Sequence, residues 1–411
     1  MGPLCALGLG APACKTSPPA EVSAPAPAAA PAQATPPAAS VSQLKAVDTS
    51  DSVTKRPKQL PPATPCLDGP GARDPSVPDL LEKAAQKFEQ GRYDESLECA
   101  REASRLDPQS LAAHHVRGAA LSELGEVDEA RTAYARALAL DPDDPEVLRS
   151  AADLYVRRMG GRDDLELALA YVQRAFPRAT KSKDKQLLKE LYLLQAMALD
   201  DLGRPGEALI AGTKAVDYDP KDREARREKG VALFELCRFE QSKAELEKLS
   251  AEEPDAWAEH YLGLIAERVG DEGLAQKHFK RAQELDADAF KPGPPAPAPV
   301  FAQMVKEEVE HLPPDIKAGL SKSQLTIEDL PEVADLVATD PPLSPGILGL
   351  FRPPPDGAPV DSKPTIILYR KNLARASRNP DELRREVRDT LLHEVGHLNG
   401  EDDDQLRDRG L

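Results

Sequence analysis

The spacing of apolar, small and turn-forming residues repeats every 34 residues through the middle of the chain. About six such units fit between residues 78 and 288, and one of them carries an extra loop at Gly160-Gly161. Each unit is predicted to be a helical hairpin that buries its apolar face only against its neighbours. Pairs that lie one period apart include Gly91 and Gly125, Ala103 and Ala137, Pro108 and Pro142, and Pro220 and Pro254.

Beyond residue 300 the pattern becomes that of a small α+β domain. Apolar residues within 301–310 fall on one helical stripe, and Pro364 to Arg370 (PTIILYR) gives the clearest β pattern in the chain. A second strand is predicted from Leu325 to Leu330. A loop rich in proline and glycine, from Asp340 to Lys363, is expected to join the two strands.

The last predicted helix has a well-marked beginning. Asn379 can cap it, Pro380 suits its first position, and Glu382 sits where a capping-box acid reaches back toward the cap. Apolar residues then continue at helical spacing as far as Glu394.

Two proline-rich segments divide the chain. Residues 16–77 are mainly Pro, Ala, Ser, Thr and Val without an aromatic residue, which predicts a disordered tail over residues 1–77. Residues 291–300 (KPGPPAPAPV) predict an extended, semi-rigid spacer of roughly 30 Å. The expected domains are therefore the helical repeats at 78–290 and the small domain at 301–411.

Net charge limits the partners that the chain can have. The formal charge is −17 at pH 7, whereas binding to phosphate backbones or anionic membranes needs clustered Lys and Arg. Nucleic acid is therefore not expected as a main partner. No apolar run reaches the roughly 18 residues of a membrane span, so no such span is expected.

The five cysteines are odd in number and include no C-x-x-C pair, so neither a zinc knuckle nor a disulfide framework is predicted. Cys99 and Cys237 fall in helical patterns and are expected to be small buried apolar residues. The segment from Met1 to Ala13 is short and apolar, and it ends at Cys14. It is similar to the end of a bacterial lipoprotein signal but lacks a positively charged start. Two locations stay open: the cytoplasm, and the cell envelope through a lipid on Cys14.

The strongest chemical signal lies at the end of the last predicted helix, in His393-Glu394-Val395-Gly396-His397. Histidines four residues apart project from one face of a helix, so both imidazoles can bind one zinc ion. A carboxylate beside the first histidine can act as a general base toward water at such a metal. The sequence therefore predicts His393 and His397 as zinc ligands and Glu394 as the catalytic base.

A third ligand is expected shortly after a sharp turn. Gly400 stands where the helix must stop, and glycine supplies the positive φ that the turn needs. Asp403 lies ten residues after His393, and its spacing favours it as the third ligand. The adjacent acids Glu401, Asp402 and Asp404 remain alternatives.

The two patterns resemble two known families. The Gly91 and Gly125 turns, and the helix ends at Pro108, Pro142 and Pro220, are similar to tetratricopeptide repeats over about half of the chain. Residues 301–411, through H-E-x-x-H-x-x-G-x-x-D, resemble small bacterial zincin-like metallopeptidases of the metzincin type. That resemblance implies His393, His397 and Asp403 as zinc ligands and Glu394 as general base. By analogy, it also places the strand Ile366 to Tyr369 beside the cleft, where an extended substrate could pair with its edge.

Two functions follow from these resemblances. The first is a zinc-dependent metallopeptidase that cleaves peptide bonds, with the repeat groove recruiting a protein substrate or regulator. The alternative is a protein-interaction scaffold whose zinc site is structural or degenerate. It is favoured by the larger size of the repeat region and by the lack of a methionine after Asp403. The repeat histidines at 114, 115, 260 and 278 have no ligand partner at helical spacing and are expected to be packing or surface residues.

Overall fold

The computed structural model describes Cys66 and residues 76–354, 357, 359, 361–402, 405 and 406. Almost all of the predicted tail, including Cys14, lies outside the described residues. So do Asp403 and Asp404. The described part of the chain contains no helix long and apolar enough to cross a membrane.

Residues 77–285 fold as six consecutive helical hairpins, which confirms the predicted all-α solenoid. The third hairpin is irregular, because its first helix continues into a π-helical turn (Tyr155–Met159) before its second helix. The helices are α1 (Val77–Glu89), α2 (Tyr93–Leu106), α3 (Leu111–Glu123), α4 (Val127–Leu140), α5 (Pro145–Leu154), α6 (Arg162–Ser182), α7 (Lys185–Asp201), α8 (Pro205–Tyr218), α9 (Arg223–Glu235), α10 (Phe239–Glu252), α11 (Ala256–Arg268) and α12 (Glu272–Leu285).

Local sequence signals set the ends of these helices. The first helix of every hairpin starts at a Ser or Asp whose side chain accepts a hydrogen bond from a backbone N–H in the first turn. The turn inside each hairpin contains a residue with positive φ. It is glycine in five hairpins and Cys237, with φ of 57°, in the fifth along the chain. The caps at Ser76, Ser110 and Asp144 lie 34 residues apart, whereas the longer third and fourth hairpins interrupt this period.

Small residues let the two helices of a hairpin touch. A Cβ atom placed on Gly230 would lie 2.6 Å from Leu246 Cδ2, so only glycine fits there. The alanines that recur in the hairpins are buried as well, namely Ala130, Ala137, Ala208, Ala215, Ala275 and Ala282. The small residues of the repeat pattern therefore lie where the two helices of a hairpin pack closely together.

The C-terminal part packs helices against a three-stranded sheet. Its elements are α13 (Ala298–His311), α14 (Pro314–Leu320), β1 (Gln324–Glu328), α15 (Val333–Leu336), β2 (Gly349–Arg352), β3 (Thr365–Tyr369), α16 (Arg370–Ala376) and α17 (Pro380–Leu398). The core forms where α13 and α17 cover one face of the sheet, with Phe301, Val305, Ile366, Leu368, Leu383, Val387 and Leu391 buried in it. This confirms the predicted α+β character.

The sheet differs from the predicted one in two respects. Its order is β1-β3-β2, with β1 parallel and β2 antiparallel to β3. Strand β2 lies inside the segment from Asp340 to Lys363, which was predicted to be a loop. The strand was missed because four residues flanked by proline and glycine give only a weak β pattern. Strand β3, rather than lying at an edge, is central, and Ile366 and Leu368 are fully buried.

The segment predicted to be an extended, semi-rigid spacer lies against the C-terminal part, and its last three residues, 298–300, begin α13. Residues 291–297 form no helix or strand, but they pack on the C-terminal part. The Ala296 carbonyl accepts a hydrogen bond from Arg370 at 2.6 Å. A Cβ atom on Gly293 would lie 2.0 Å from the Ala374 carbonyl oxygen. The extended backbone of this segment is thus held against α16.

Helix α16 also contacts the last repeats directly. Glu267 on α11 is 8% exposed and pairs with Arg375 at 2.5 Å and with Lys371 at 3.3 Å. At a second point of contact between the C-terminal part and the repeats, Ser344 donates a hydrogen bond to Glu235 on α9 at 2.6 Å. The repeats and the C-terminal part therefore form a continuous structure.

The structure also corrects the reading of the cysteines. Cys66 and Cys99 form a disulfide, although no disulfide framework was predicted. Cys99 is buried in α2 as expected, but it is bonded to a segment that precedes α1. Spacing gave no signal, because the bridge joins two cysteines in segments of very different composition. Cys237 is a free thiol that lies in the turn between α9 and α10 and is only partly buried, so the expectation of a buried helical position is wrong.

Candidate metal centre

Helix α17 holds the two predicted histidine ligands and the glutamate between them. The Asn379 side chain accepts a hydrogen bond from the Glu382 backbone N–H at 2.9 Å, as predicted for the cap. The Glu382 carboxylate reaches one residue past the cap and accepts from the Arg378 N–H at 2.8 Å. Glu308 of α13 is 3% exposed and pairs with Arg388 of α17. These contacts fix the start of α17 and hold the helix against α13.

The two histidine rings converge on one another. His393 Nε2 and His397 Nε2 lie 3.1 Å apart. The Nδ1–H group of His397 donates a hydrogen bond to the Glu401 carbonyl at 2.9 Å. Because a carbonyl can only accept, this contact places the proton on Nδ1 and leaves the Nε2 lone pair directed at His393. Two ring nitrogens in this arrangement favour a cation between them.

Glu394 lies on the sheet side of α17 and is 5% exposed. A Cβ atom on Gly349, the first residue of β2, would lie 2.9 Å from Glu394 Oε1 and 2.6 Å from Thr390 Cγ2. The carboxylate therefore occupies space beside β2 that any larger residue at 349 would fill. The structure places Glu394 next to the edge strand of the sheet.

The turn after α17 forms as predicted. Gly400 has φ of +86°, which an L side chain rarely adopts. Asp402 Oδ1 then accepts from the Gln405 N–H at 2.9 Å, while Gln405 Oε1 accepts from the Asp402 N–H at 2.9 Å. This reciprocal cap occupies the Asp402 carboxylate and makes it a poorer ligand candidate. Asp403 remains a prediction.

The donor set fits zinc as far as it is described. Two nitrogens at about 2.0–2.1 Å from one zinc in tetrahedral geometry lie roughly 3.3 Å apart, close to the observed spacing of 3.1 Å. The His397 contact with the Glu401 carbonyl is the outer contact that zinc-binding histidines usually make. Within the residues that the structure describes, no group of three or more His, Cys, Asp or Glu side chains could hold a metal.

The repeat histidines all contact neighbouring residues of the solenoid, as expected for packing positions. His115 contacts Ser150 at 2.9 Å, and burial lowers its pKa to about 4, with the charge of Arg149 adding to the effect. His260 packs among aromatic rings and has its pKa lowered to about 4 by burial. His278 pairs with Glu259 at 2.6 Å. His114 is buried and contacts the Pro108 carbonyl at 3.0 Å.

Two residues near the centre were missed as site residues. Gly349 limits where Glu394 can lie. Asn372 on α16 is 4% exposed and donates to the Pro345 and Ile347 carbonyls at 2.9 and 2.8 Å, which holds the chain that enters β2. A glycine that opens a strand is a recognised signal for close approach. Asn372 carried no signal, because its partners are more than 20 residues away.

Comparison with known families agrees with this architecture. Models of the tetratricopeptide repeat match residues 81–145, 115–182 and 201–267. The model of the zincin-like metallopeptidase matches residues 320–411. The protein is therefore a tetratricopeptide repeat protein by its solenoid. It carries, more particularly, a C-terminal zincin-like metallopeptidase domain, as the sequence predicted.

Two curated proteins match parts of the chain. A CTR9 homologue of Arabidopsis thaliana is 40% identical over 74 residues, which are 18% of this chain and 7% of that protein. Anaphase-promoting complex subunit 3 of Schizosaccharomyces pombe is 25% identical over 224 residues, which are 54% of this chain and 30% of that protein. The chain thus spans less than a third of either relative's length.

Among solved structures, pilF of Pseudomonas aeruginosa is 15% identical, with a TM-score of 0.44. The match covers 52% of this chain and 92% of that one. The repeats mark the solenoid as a protein-interaction region.

Proposed function

We propose that the protein is a zinc-dependent metallopeptidase whose repeats recruit its protein substrate or a regulator. The observation that carries this proposal is the convergence of His393 Nε2 and His397 Nε2 to 3.1 Å, with Glu394 on the same helix. The match of residues 320–411 to zincin-like metallopeptidases supports it.

His393 and His397 are proposed to hold the zinc ion, with Asp403 as the third ligand. A zinc ion at this position would supply Lewis acidity for attack on a peptide carbonyl. Glu394 would take the proton from the attacking water and deliver it to the leaving amine. Its burial beside Gly349 keeps the carboxylate in one place during both transfers.

The substrate is proposed to bind as an extended strand along β2. The sequence placed this role on Ile366–Tyr369, but that strand has a neighbour on each side. Strand β2 is the edge strand next to α17, and it begins at Gly349, beside Glu394. An added strand there would form backbone hydrogen bonds with β2 and bring a peptide carbonyl toward the histidine pair.

The repeats are proposed to raise the local concentration of the substrate. The C-terminal domain docks on the last repeats through Glu267 and α16, so a protein bound along the solenoid is held close to the candidate centre. Such tethering raises the effective concentration without any new contact at the scissile bond.

The test measures zinc content and peptide cleavage on the full chain. We expect one zinc per chain by mass spectrometry, lost in His393→Ala, and cleavage of a casein-derived peptide library, reduced about 10²-fold or more in Glu394→Gln. Glu386→Gln, about two turns earlier on α17, is the matched control and should keep full activity.

The outcomes separate the two candidate functions. A protein without zinc after growth in zinc-containing medium would contradict the proposal. Zinc that depends on His393 but produces no cleavage from any library would instead support the scaffold with a structural zinc.

A further inference from the structure

A cavity of about 540 Å³ opens between α2, α3 and α4 in the first two repeats. Four arginines and a buried histidine line it: Arg101 and Arg105 from α2, His114 and Arg117 from α3, and Arg136 from α4. The chain has 70 acidic and 53 basic residues, so four guanidinium groups around one cavity run against its overall charge. This cavity belongs to the solenoid and shares no residue with the candidate metal centre.

The arginines differ in how their charge is balanced. Arg101 pairs with Glu98 at 2.9 Å, and Arg105 pairs with Glu102 at 2.7 Å. Arg117 and Arg136 form no salt bridge and no side-chain hydrogen bond with any residue that the structure describes. Two of the four positive charges therefore lack a salt bridge within the described residues, and the nearby Glu129 carboxylate pairs with Arg101 at 3.7 Å.

Two buried polar atoms in the lining are also unpartnered. Arg117 Nε and His114 Nδ1 are shielded from water and have no hydrogen-bond partner within the described residues. His114 is 6% exposed, and its Nε2 contacts the Pro108 carbonyl at 3.0 Å. Because a carbonyl only accepts, the Nε2 atom carries the proton and Nδ1 of the neutral ring is an acceptor, so the buried donor left without a partner is Arg117 Nε–H. Buried donors of this kind normally have an acceptor.

The charges around Arg117 also favour an anion in the cavity. Burial lowers the pKa of its guanidinium, and the charges of Arg101 and Arg136 lower it further, while the charge of Glu129 partly offsets them. An anion among these groups would relieve the mutual repulsion and satisfy Nε at once. A guanidinium fork also matches the oxygen spacing of phosphate and can donate two parallel hydrogen bonds to it.

We infer that this cavity binds a phosphate monoester dianion. The charge match carries the choice of ligand, because two unpaired guanidinium groups face the cavity and a phosphate monoester carries about −1.5 to −2 at pH 7. A single carboxylate would neutralise only one of them. The dianion can come from a phosphorylated side chain of a partner protein or from a small phosphorylated molecule.

The experiment is calorimetric titration of the full chain in phosphate-free buffer at low salt. The probes are O-phospho-L-serine, a phosphoserine heptapeptide, the same heptapeptide without phosphate, and succinate. We expect both phosphorylated probes to bind. Arg117→Gln and Arg136→Gln should each weaken that binding by about tenfold or more. Arg131→Gln removes one charge from an exposed position on α4 that does not line the cavity, and it should change affinity less than about twofold.

The probes also separate the two sources. Binding of the phosphopeptide at least tenfold tighter than free phosphoserine identifies a phosphoprotein partner, whereas equal affinities identify a small phosphorylated ligand. Three results would overturn the inference: no binding of either phosphorylated probe, equal binding of succinate, or an equal loss in Arg131→Gln. Thermal unfolding of each variant verifies the fold, and Arg117→Lys provides a charged variant if Arg117→Gln unfolds.

Discussion

At the scale of single residues, the position of Glu394 depends on a residue that has no side chain. Gly349 and Glu394 are 45 positions apart in the sequence, yet a Cβ atom on the glycine would lie 2.9 Å from Glu394 Oε1 and 3.2 Å from its Cγ. Helix α17 is anchored by buried Val387, Leu391 and Val395, so the helix cannot shift to make room. The carboxylate has to move instead.

Gly349→Ala is therefore expected to separate zinc binding from catalysis. The substitution displaces Glu394 but does not touch His393 or His397, so the zinc content should stay at one per chain. A displacement of about 1 Å at a catalytic group lowers kcat by roughly 10²-fold. The measurement is peptide cleavage together with metal analysis. Gly346→Ala is the control, because its nearest atom is the Ser344 hydroxyl at an ordinary 3.4 Å. Unchanged cleavage in Gly349→Ala would mean that Glu394 is not the base.

The residues predicted from sequence are those whose partners are close along the chain. His393, Glu394 and His397 lie on one helix, and Gly400 ends it, so helical spacing alone groups them. Gly349 and Asn372 act through contacts with distant segments, which only the fold brings together. The third ligand remains a prediction from spacing, since Asp403 lies outside the described residues.

At the scale of elements, amphipathic and capping patterns predicted the helices well. The predicted cap at Asn379 and the strand near Ile366 are both present. Strand β2 was missed because four residues are too few to show alternation, and they follow a run of proline and glycine. The order of the strands could not be predicted from the sequence either, because it depends on which strands pair with each other in the fold. Because β3 is central, the substrate is proposed to pair with the edge of β2 and not with β3.

Helix α16 makes the clearest long-range contact between elements, through the buried Glu267. Removing this charge leaves Lys371 and Arg375 without their shared partner in a poorly hydrated contact. Glu267→Gln should weaken docking by on the order of 2 kcal/mol. We expect faster amide hydrogen exchange across α16, measured by mass spectrometry, and a larger radius of gyration in solution scattering.

A neighbouring acid provides the matched control for this contact. Glu272 also pairs with Lys371, but its side chain is 58% exposed, so water screens the pair and Glu272→Gln should cost about 0.5 kcal/mol or less. Equal exchange rates in both variants would show that the docking does not depend on the buried charge.

At the scale of the whole molecule, acidic residues outnumber basic ones by 70 to 53, and some of their carboxylates are buried where water cannot fully solvate them. Asp200 at the end of α7 has a buried Oδ1 atom with no partner within the described part of the chain. Burial, reinforced by the charges of Glu235 and Glu228, raises the pKa of Asp200 to about 8. Burial also raises the pKa of Glu228 on α9 to about 7. The solenoid therefore has carboxyl groups that titrate near neutral pH.

The raised pKa of Asp200 predicts a pH-dependent effect of Asp200→Asn. A group whose pKa is higher in the folded state contributes stability below its ordinary value of 3.8, and this stability is lost as the pH rises through about 8. The variant cannot ionise, so its stability relative to the native chain should increase by on the order of 4 kcal/mol between pH 5 and pH 8.5. His115 and His260 titrate in both proteins and cancel in the difference. The apparent Tm of both proteins across this range measures the effect, and Asp217→Asn, at an exposed position on α8, should show a constant offset. A constant offset for Asp200→Asn as well would mean that Asp200 is already ionised in the folded chain at pH 5.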